Sequence, residues 1–251
     1  MASEDSDDYP EPATQSRTSR HASNMDPSDV ERCVNNIVRL AIYSEQKRQS
    51  LSREDIVKKA IPDHSRAFDW LLQQAQTRLK HIFGMELVLA DSKRPKKSNS
   101  STSSQAKLSK NYILRSTLPS TERMGYISWN EEESKLMNLL TVILSIIYSY
   151  GHSITHDSLK IYLNRLNIDL DGKSEIFGEM PVVMKTFLRQ GYLDSTNGNE
   201  DNEIYYYWGP RSKVLYTEED MIDFIVQMYP DLTVGKKNSL AEAIQKAANS
   251  N

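Results

Sequence analysis

The chain has 251 residues, enough for one large domain or two of about 100 residues each. Its net charge of −3 argues neither for nor against a nucleic-acid partner, so any such site has to be a local basic patch. The single cysteine, Cys33, excludes an intrachain disulfide framework and any multi-cysteine zinc site, and the acidic, polar start has no apolar segment of the secretory kind, so a soluble intracellular protein is expected.

Residues 1–25 hold Glu4, Asp5, Asp7, Asp8, Pro10, Glu11, Pro12 and many serines, with almost nothing apolar, so they are expected to form an unstructured tail that cannot offset the entropy of ordering. A helix follows, capped by Asp26, with Pro27 in the first position where its missing N–H costs nothing. Val30, Cys33, Val34, Ile37, Val38 and Ala41 lie along one side, and the polar run 45–50 ends it. Ser52, with Asp55 three residues on, starts a short helix that Pro62 stops. Ser65 is the expected cap of a third helix carrying Phe68, Leu71, Leu72, Ala75, Leu79 and Ile82, which Gly84 closes. Strands over 86–90 and 111–118, joined by a loop over 93–110, complete the order of a winged-helix domain.

The same order recurs in the second half, around a strongly marked helix over 130–150. Asn130 caps it, Glu133 sits where a capping box needs it, Glu131 to Glu133 place negative charge at the positive end of the dipole, and Gly151 ends it. Leu136, Leu139, Leu140, Ile143, Leu144 and Ile147 form an apolar stripe, and Met137, Val142, Ile146 and Tyr150 widen it past half the circumference. Such a helix is buried on more than one side; it falls short of the ~20 residues of a membrane span, and Asn138, Thr141, Ser145 and Ser149 interrupt it. Helices over 154–166 (capped by Thr155) and 179–190, strands over 192–195 and 203–208, and a helix over 217–228 stopped by Pro230 follow. The expected fold is mainly α with small β-hairpins: two tandem winged-helix domains, 26–118 and 130–230, with a linker at 119–129 and tails at 1–25 and 231–251, the latter loose apart from a short helix over 240–248.

The run LLTVILSIIYSYG, then IFGEMP, then FLRQGYLD, then YYYWGPR resembles the MAGE homology domain in order and spacing, while SLSREDIVKKAI and AQTRLKHIFGMEL look like that family's first winged helix; together the resemblance covers residues 30–229. Within the family, the long first wing and the abundance of Ser, Asn and Lys look most like fungal members of the lineage that serves structural-maintenance-of-chromosomes 5/6 complexes. The resemblance implies two winged helices, a RING-type partner subunit, a kleisin partner subunit, double-stranded DNA, a nuclear location, and a non-catalytic part in DNA repair and chromosome maintenance. No cofactor, metal, membrane or small-molecule substrate is expected.

No catalytic constellation stands out. His152 and His156 fall on the connection between two helices, HSITH lacks the glutamate of a zinc-protease motif, and Ser153, His156 and Asp157 at a helix start read as caps. DNA binding has better support. The first wing carries Lys93, Arg94, Lys96, Lys97, Lys107 and Lys110 with no acid between Ser92 and Lys110, a pattern that neutralises phosphates without reading bases, or one that merely keeps a hairpin soluble. Lys185 and Arg189 share a helix face, and Arg211 and Lys213 follow the last strand; these too can meet phosphates, although Arg211, in WGPR, serves equally well to fix a turn. By the resemblance, Leu40, Ala41 and Ile42 fall in the RING-contact segment, where the family often has a pair of leucines and this chain has Ala41 and Ile42; core packing explains them equally. Leu139, Leu140, Ile143 and Tyr162 are the candidates for the family's kleisin groove, again with core burial as the alternative. The rival functions are a ubiquitin-ligase adaptor without DNA binding and an independent winged-helix regulator, the second disfavoured because the third helices lack an Arg/Asn/Gln cluster at their starts.

Overall fold

The computed structural model describes residues 25–90, 111–118, 130–198 and 203–249. The first half opens with α1 (Pro27–Gln46), whose Asp26 cap accepts from the Ser28 amide. Next come β1 (Leu51–Ser52) and α2 (Arg53–Ala60), capped by Ser52 through the Asp55 amide. A 3-10 turn, Pro62–Ala67, leads into α3 (Phe68–Phe83). Ser65 lies within this turn, so the expected cap moves to Ala67: Pro62 starts a tight turn rather than leaving a clean break. Gly84 ends α3 at φ +59, in the left-handed region. β2 (Met85–Ala90) pairs antiparallel with β3 (Asn111–Ser116), and β1 adds to the far side of β3. The open edge of β2 is met by Gln76 of α3, whose amide accepts from the Leu87 N–H and donates to the Leu87 carbonyl, both at 2.9 Å.

The second half repeats the plan. α4 (Glu131–Ser149) has the Asn130 cap, its side chain accepting from the Glu133 amide at 2.7 Å, and Gly151 turns the chain at φ +85. The following residues do not continue as helix from Ile154: Ser153–Thr155 is a strand, β4, paired with β8, and α5 (His156–Asn164) begins after Thr155, which caps it. A two-stranded ribbon, β5 (Lys173–Ser174) with β6 (Gly178–Glu179), precedes α6 (Met180–Arg189). β7 (Leu193–Asn197) and β8 (Ile204–Trp208) form the hairpin, giving the sheet order β4-β8-β7. A short helix, α7 (Pro210–Leu215), is inserted before α8 (Glu218–Gln227), which Thr217 and Asp220 open with a capping box. The segment after Pro230, expected to be loose with a short helix at 240–248, is helical over Val234–Ala248 (α9), because Ile244 and Ala248 share one face and bury it against the second core.

The fold is thus mainly helical, with two three-stranded antiparallel sheets, each set on three helices in winged-helix order, and the two-stranded β5-β6 ribbon among the described residues. Each half has its own apolar core. One gathers Ile37, Ile56, Phe68, Leu71 and Leu79; the other gathers Leu140, Ile143, Leu144, Tyr148, Phe187 and Trp208. The two cores share no residue.

Candidate partner-binding surfaces

α4 is wrapped on most of its circumference by α5, α8, α9, β4 and β8. Leu139, Leu140 and Ile143 are enclosed in the core, so the expectation that they line an open groove is corrected. The sequence could not separate the faces because the helix is apolar almost all round. What remains open is its C-terminal end. There α4, α5 and α8 bound a groove of about 260 Å³ lined by Ser145, Ile146, Ser149, Tyr150, Tyr162 and Ile225. Tyr162, the one expected residue found there, stands edge-on to Tyr150 at 6.0 Å, with the Arg165 guanidinium 5.5 Å from its ring centre. The sequence signal for the rest is the interleaving of Ser145 and Ser149 with Ile146 and Tyr150: small side chains at helical spacing leave room between large ones.

On α1, Ala41 is buried in the first core and cannot itself meet a partner, whereas Leu40 and Ile42 are half-buried against that core. The exposed neighbours are Arg39, Tyr43 and Lys47, with the Lys47 ammonium 4.4 Å above the Tyr43 ring. Tyr43, 53% exposed, is the aromatic that the sequence reading passed over.

Lys93, Arg94, Lys96, Lys97, Lys107 and Lys110 lie outside the described residues. Lys185 and Arg189 are exposed on α6, on the side that also shows Val182, 61% exposed, and Lys213 is exposed on α7. Arg211 is different. Its side chain is 1% exposed and its Nη1 donates to Glu45 Oε2 at 2.7 Å, so it is not available to a phosphate. It belongs to an interlock between the two sequence motifs RQGYL and WGPR. The Gly209 amide donates to the Tyr192 carbonyl at 2.8 Å and the Arg211 amide to the Gly191 carbonyl at 2.9 Å. Arg211 Nε donates to the Gln190 carbonyl at 3.1 Å, and Ser212 Oγ to that of Tyr192 at 2.7 Å. Burial pushes the Tyr192 phenol up, against the opposing pull of Arg48 and Arg211.

His156 is held in a polar network, with Nδ1 3.2 Å from the Tyr206 hydroxyl and Nε2 2.9 Å from Asp171 Oδ1, while Lys160 pairs with the other oxygen of Asp171. These contacts tie α5, β8 and the 169–172 turn together. Among the described residues no group of His, Cys, Asp or Glu is placed to hold a metal ion, and no helix is long and apolar enough to cross a membrane.

Residues 37–219 match the MAGE homology domain. The chain is 27% identical over 233 residues to the non-structural maintenance of chromosome element 3 of Schizosaccharomyces pombe, covering 86% of this chain and 70% of that protein. It is 26% identical over 220 residues to the element 3 homologue of Mus musculus, covering 85% of this chain and 73% of that protein. A chain of the solved Nse1-Nse3-Nse4 complex superposes with a TM-score of 0.73 at 22% identity, over 88% of this chain and 100% of that chain, which shows a shared fold.

Proposed function

This chain belongs to the MAGE homology domain family, and from that premise we propose that it is a non-catalytic scaffold subunit of a structural-maintenance-of-chromosomes 5/6 complex. In this reading it bridges a RING-type subunit and a kleisin, contacts double-stranded DNA, and acts in the nucleus in DNA repair. The observation that carries the reading is the similarity to element 3 proteins along 85–86% of the chain rather than in one motif. Two winged-helix domains, 26–118 and 130–230, would each offer one surface. The kleisin would take the groove of Ile146, Tyr150, Tyr162 and Ile225, whose aromatic walls and apolar floor suit an amphipathic helix. The RING-type subunit would meet α1 at Leu40, Ile42 and Tyr43. The basic residues at 93–110, with Lys185, Arg189 and Lys213, would neutralise phosphates, giving salt-sensitive affinity without sequence preference.

The test is titration of the purified chain with each subunit and with duplex. Tyr150→Ala and Tyr162→Ala are expected to weaken the kleisin by about tenfold or more and to leave the RING-type subunit unaffected, as truncation of buried aromatic anchors does. Tyr43→Ala is expected to do the reverse. Glutamate at Lys93, Arg94, Lys96 and Lys97 is expected to flatten the salt dependence of duplex binding. Wild-type protein that binds neither subunit sinks the scaffold reading; a chain that binds both but no duplex, alone or assembled, leaves an adaptor.

A further inference from the structure

The two halves meet where α7 packs against β2 and β3, and through a network of charged groups beside it. Arg211, from the start of α7, reaches across to Glu45 near the end of α1. Glu45 also pairs with Arg48 at 2.7 Å, and Arg48 reaches back to Glu133 in the first turn of α4 at 2.9 Å. Arg48 holds a left-handed backbone, φ +54, a conformation disfavoured for a residue with a Cβ, and this one places its fork between the two carboxylates. The Tyr192 ring lies 5.6 Å from the Arg211 guanidinium. Arg211 Nη2 is buried and has no hydrogen-bond partner.

We propose that Glu45, Arg48, Glu133 and Arg211 form a charge-locked joint that sets the orientation of the two halves, and that loosening it frees the halves from each other without unfolding either. Buried ion pairs add little net stability compared with apolar packing, but losing one partner strands the other charge. Such a network therefore selects one arrangement, the one in which all four groups are met. The carboxylate of Glu45 is shared by two guanidinium groups, so it is the member whose loss strands the most charge. The unmatched Nη2 leaves the joined arrangement one hydrogen bond short, which lowers the cost of opening it. Neither core contributes a residue to the other, so opening parts α7 from β2 and β3 without dividing either core.

The joint also lies between the two surfaces described above. Leu40 and Tyr43 precede Glu45 on α1, and Glu133 begins the helix whose far end lines the groove. This consequence, unlike the joint itself, rests on the proposed function: a partner that prefers one orientation of the halves would change the affinity of the other surface, and reciprocally.

The experiment places spin labels on the full chain at Lys58→Cys and Asn164→Cys, with the buried Cys33 left in place, and measures the distance distribution. Hydrogen exchange is followed on the same proteins without labels. Glu45→Gln is expected to broaden and shift the distribution and to speed exchange over residues 210–215 by about tenfold to a hundredfold. Protection in α3 and α6 is expected to stay as in the wild type. The milder Glu133→Gln, which breaks only the Arg48 contact on the second half, is expected to move the distribution less and in the same direction. An unchanged distribution in both variants overturns the joint. So does loss of protection in α3 and α6 together with the broadening, because the four residues would then be holding the cores and not the orientation between them.

Discussion

Gly209 has an ordinary φ of −74, so it is not there for backbone freedom. A Cβ at this position would overlap the Gly191 carbonyl oxygen and lie 2.7 Å from its carbon, both rigid backbone. The close crossing of the 190–193 and 209–212 segments brings the Arg211 amide and Nε onto the Gly191 and Gln190 carbonyls. Gly209→Ala is expected to cost about 3 kcal/mol or more, since no side chain can move aside to relieve it. Urea unfolding measures the loss, and near-ultraviolet dichroism of Trp208, whose Nε1 donates to the Leu144 carbonyl at 3.0 Å, reports whether the neighbouring sheet has shifted. An alanine variant of wild-type stability would mean that the crossing can open at no cost. The sequence shows that WGPR is a motif but not what each residue of it does. Trp208 in the core follows from its size; the burial of an arginine does not, because its partner, Glu45, lies in the other half of the chain.

At the scale of elements, most of the long helices were legible, while the short helix α7, the full extent of α9 and the shortest strands were not. Caps at Asp26, Ser52, Asn130, Thr155 and Thr217 are local events, decided by one side chain and an amide two or three residues away. β1 and β4 are two and three residues long and exist only because β3 and β8, far along the chain, offer them an edge, so no periodicity announces them. The groove is of the same kind: it is the part of α4 that α5 and α8 leave uncovered, a result of packing rather than of the helix itself. The β2–β3 hairpin shows how a strand is pinned electrostatically. Glu86 on β2 lies 2.8 Å from both Lys80 of α3 and Arg115 of β3, and these partners, Lys80 first, hold its carboxyl below its usual 4.5. A carboxyl depressed in the folded state stabilises above its unfolded value, and that contribution disappears as the pH falls through the folded one. Wild-type stability is therefore expected to fall below about pH 4.5 by an increment that Glu86→Gln lacks, small because the pair is partly screened by water. Chemical denaturation at a series of pH values compares the two; parallel curves would mean that Glu86 titrates alike folded and unfolded.

For the whole molecule, two cores without a shared residue, joined by one short helix and a few charges, predict that the halves unfold as separate units. Burial of apolar surface is what couples residues into one cooperative transition, and here the cores stay separate, with the packing of α7 on β2 and β3 as the contact that crosses from one half to the other. Leu71, fully buried in the first core, tests this. Leu71→Ala is expected to cost that half about 2–5 kcal/mol. Hydrogen exchange at rising urea is expected to show residues 33–79 losing protection first, with α4 and α6 still protected. Protection lost from both halves at one urea concentration would show that the charged joint transmits the full stability of one core to the other. A joint that strong could not also be loosened by Glu45→Gln without unfolding, so the same measurement sets an upper bound on how tightly the halves are held. Independent halves suit a scaffold, since each surface then keeps its shape while the angle between them stays adjustable, and a partner binding at one end works against a few charges and the packing of one short helix rather than against a core.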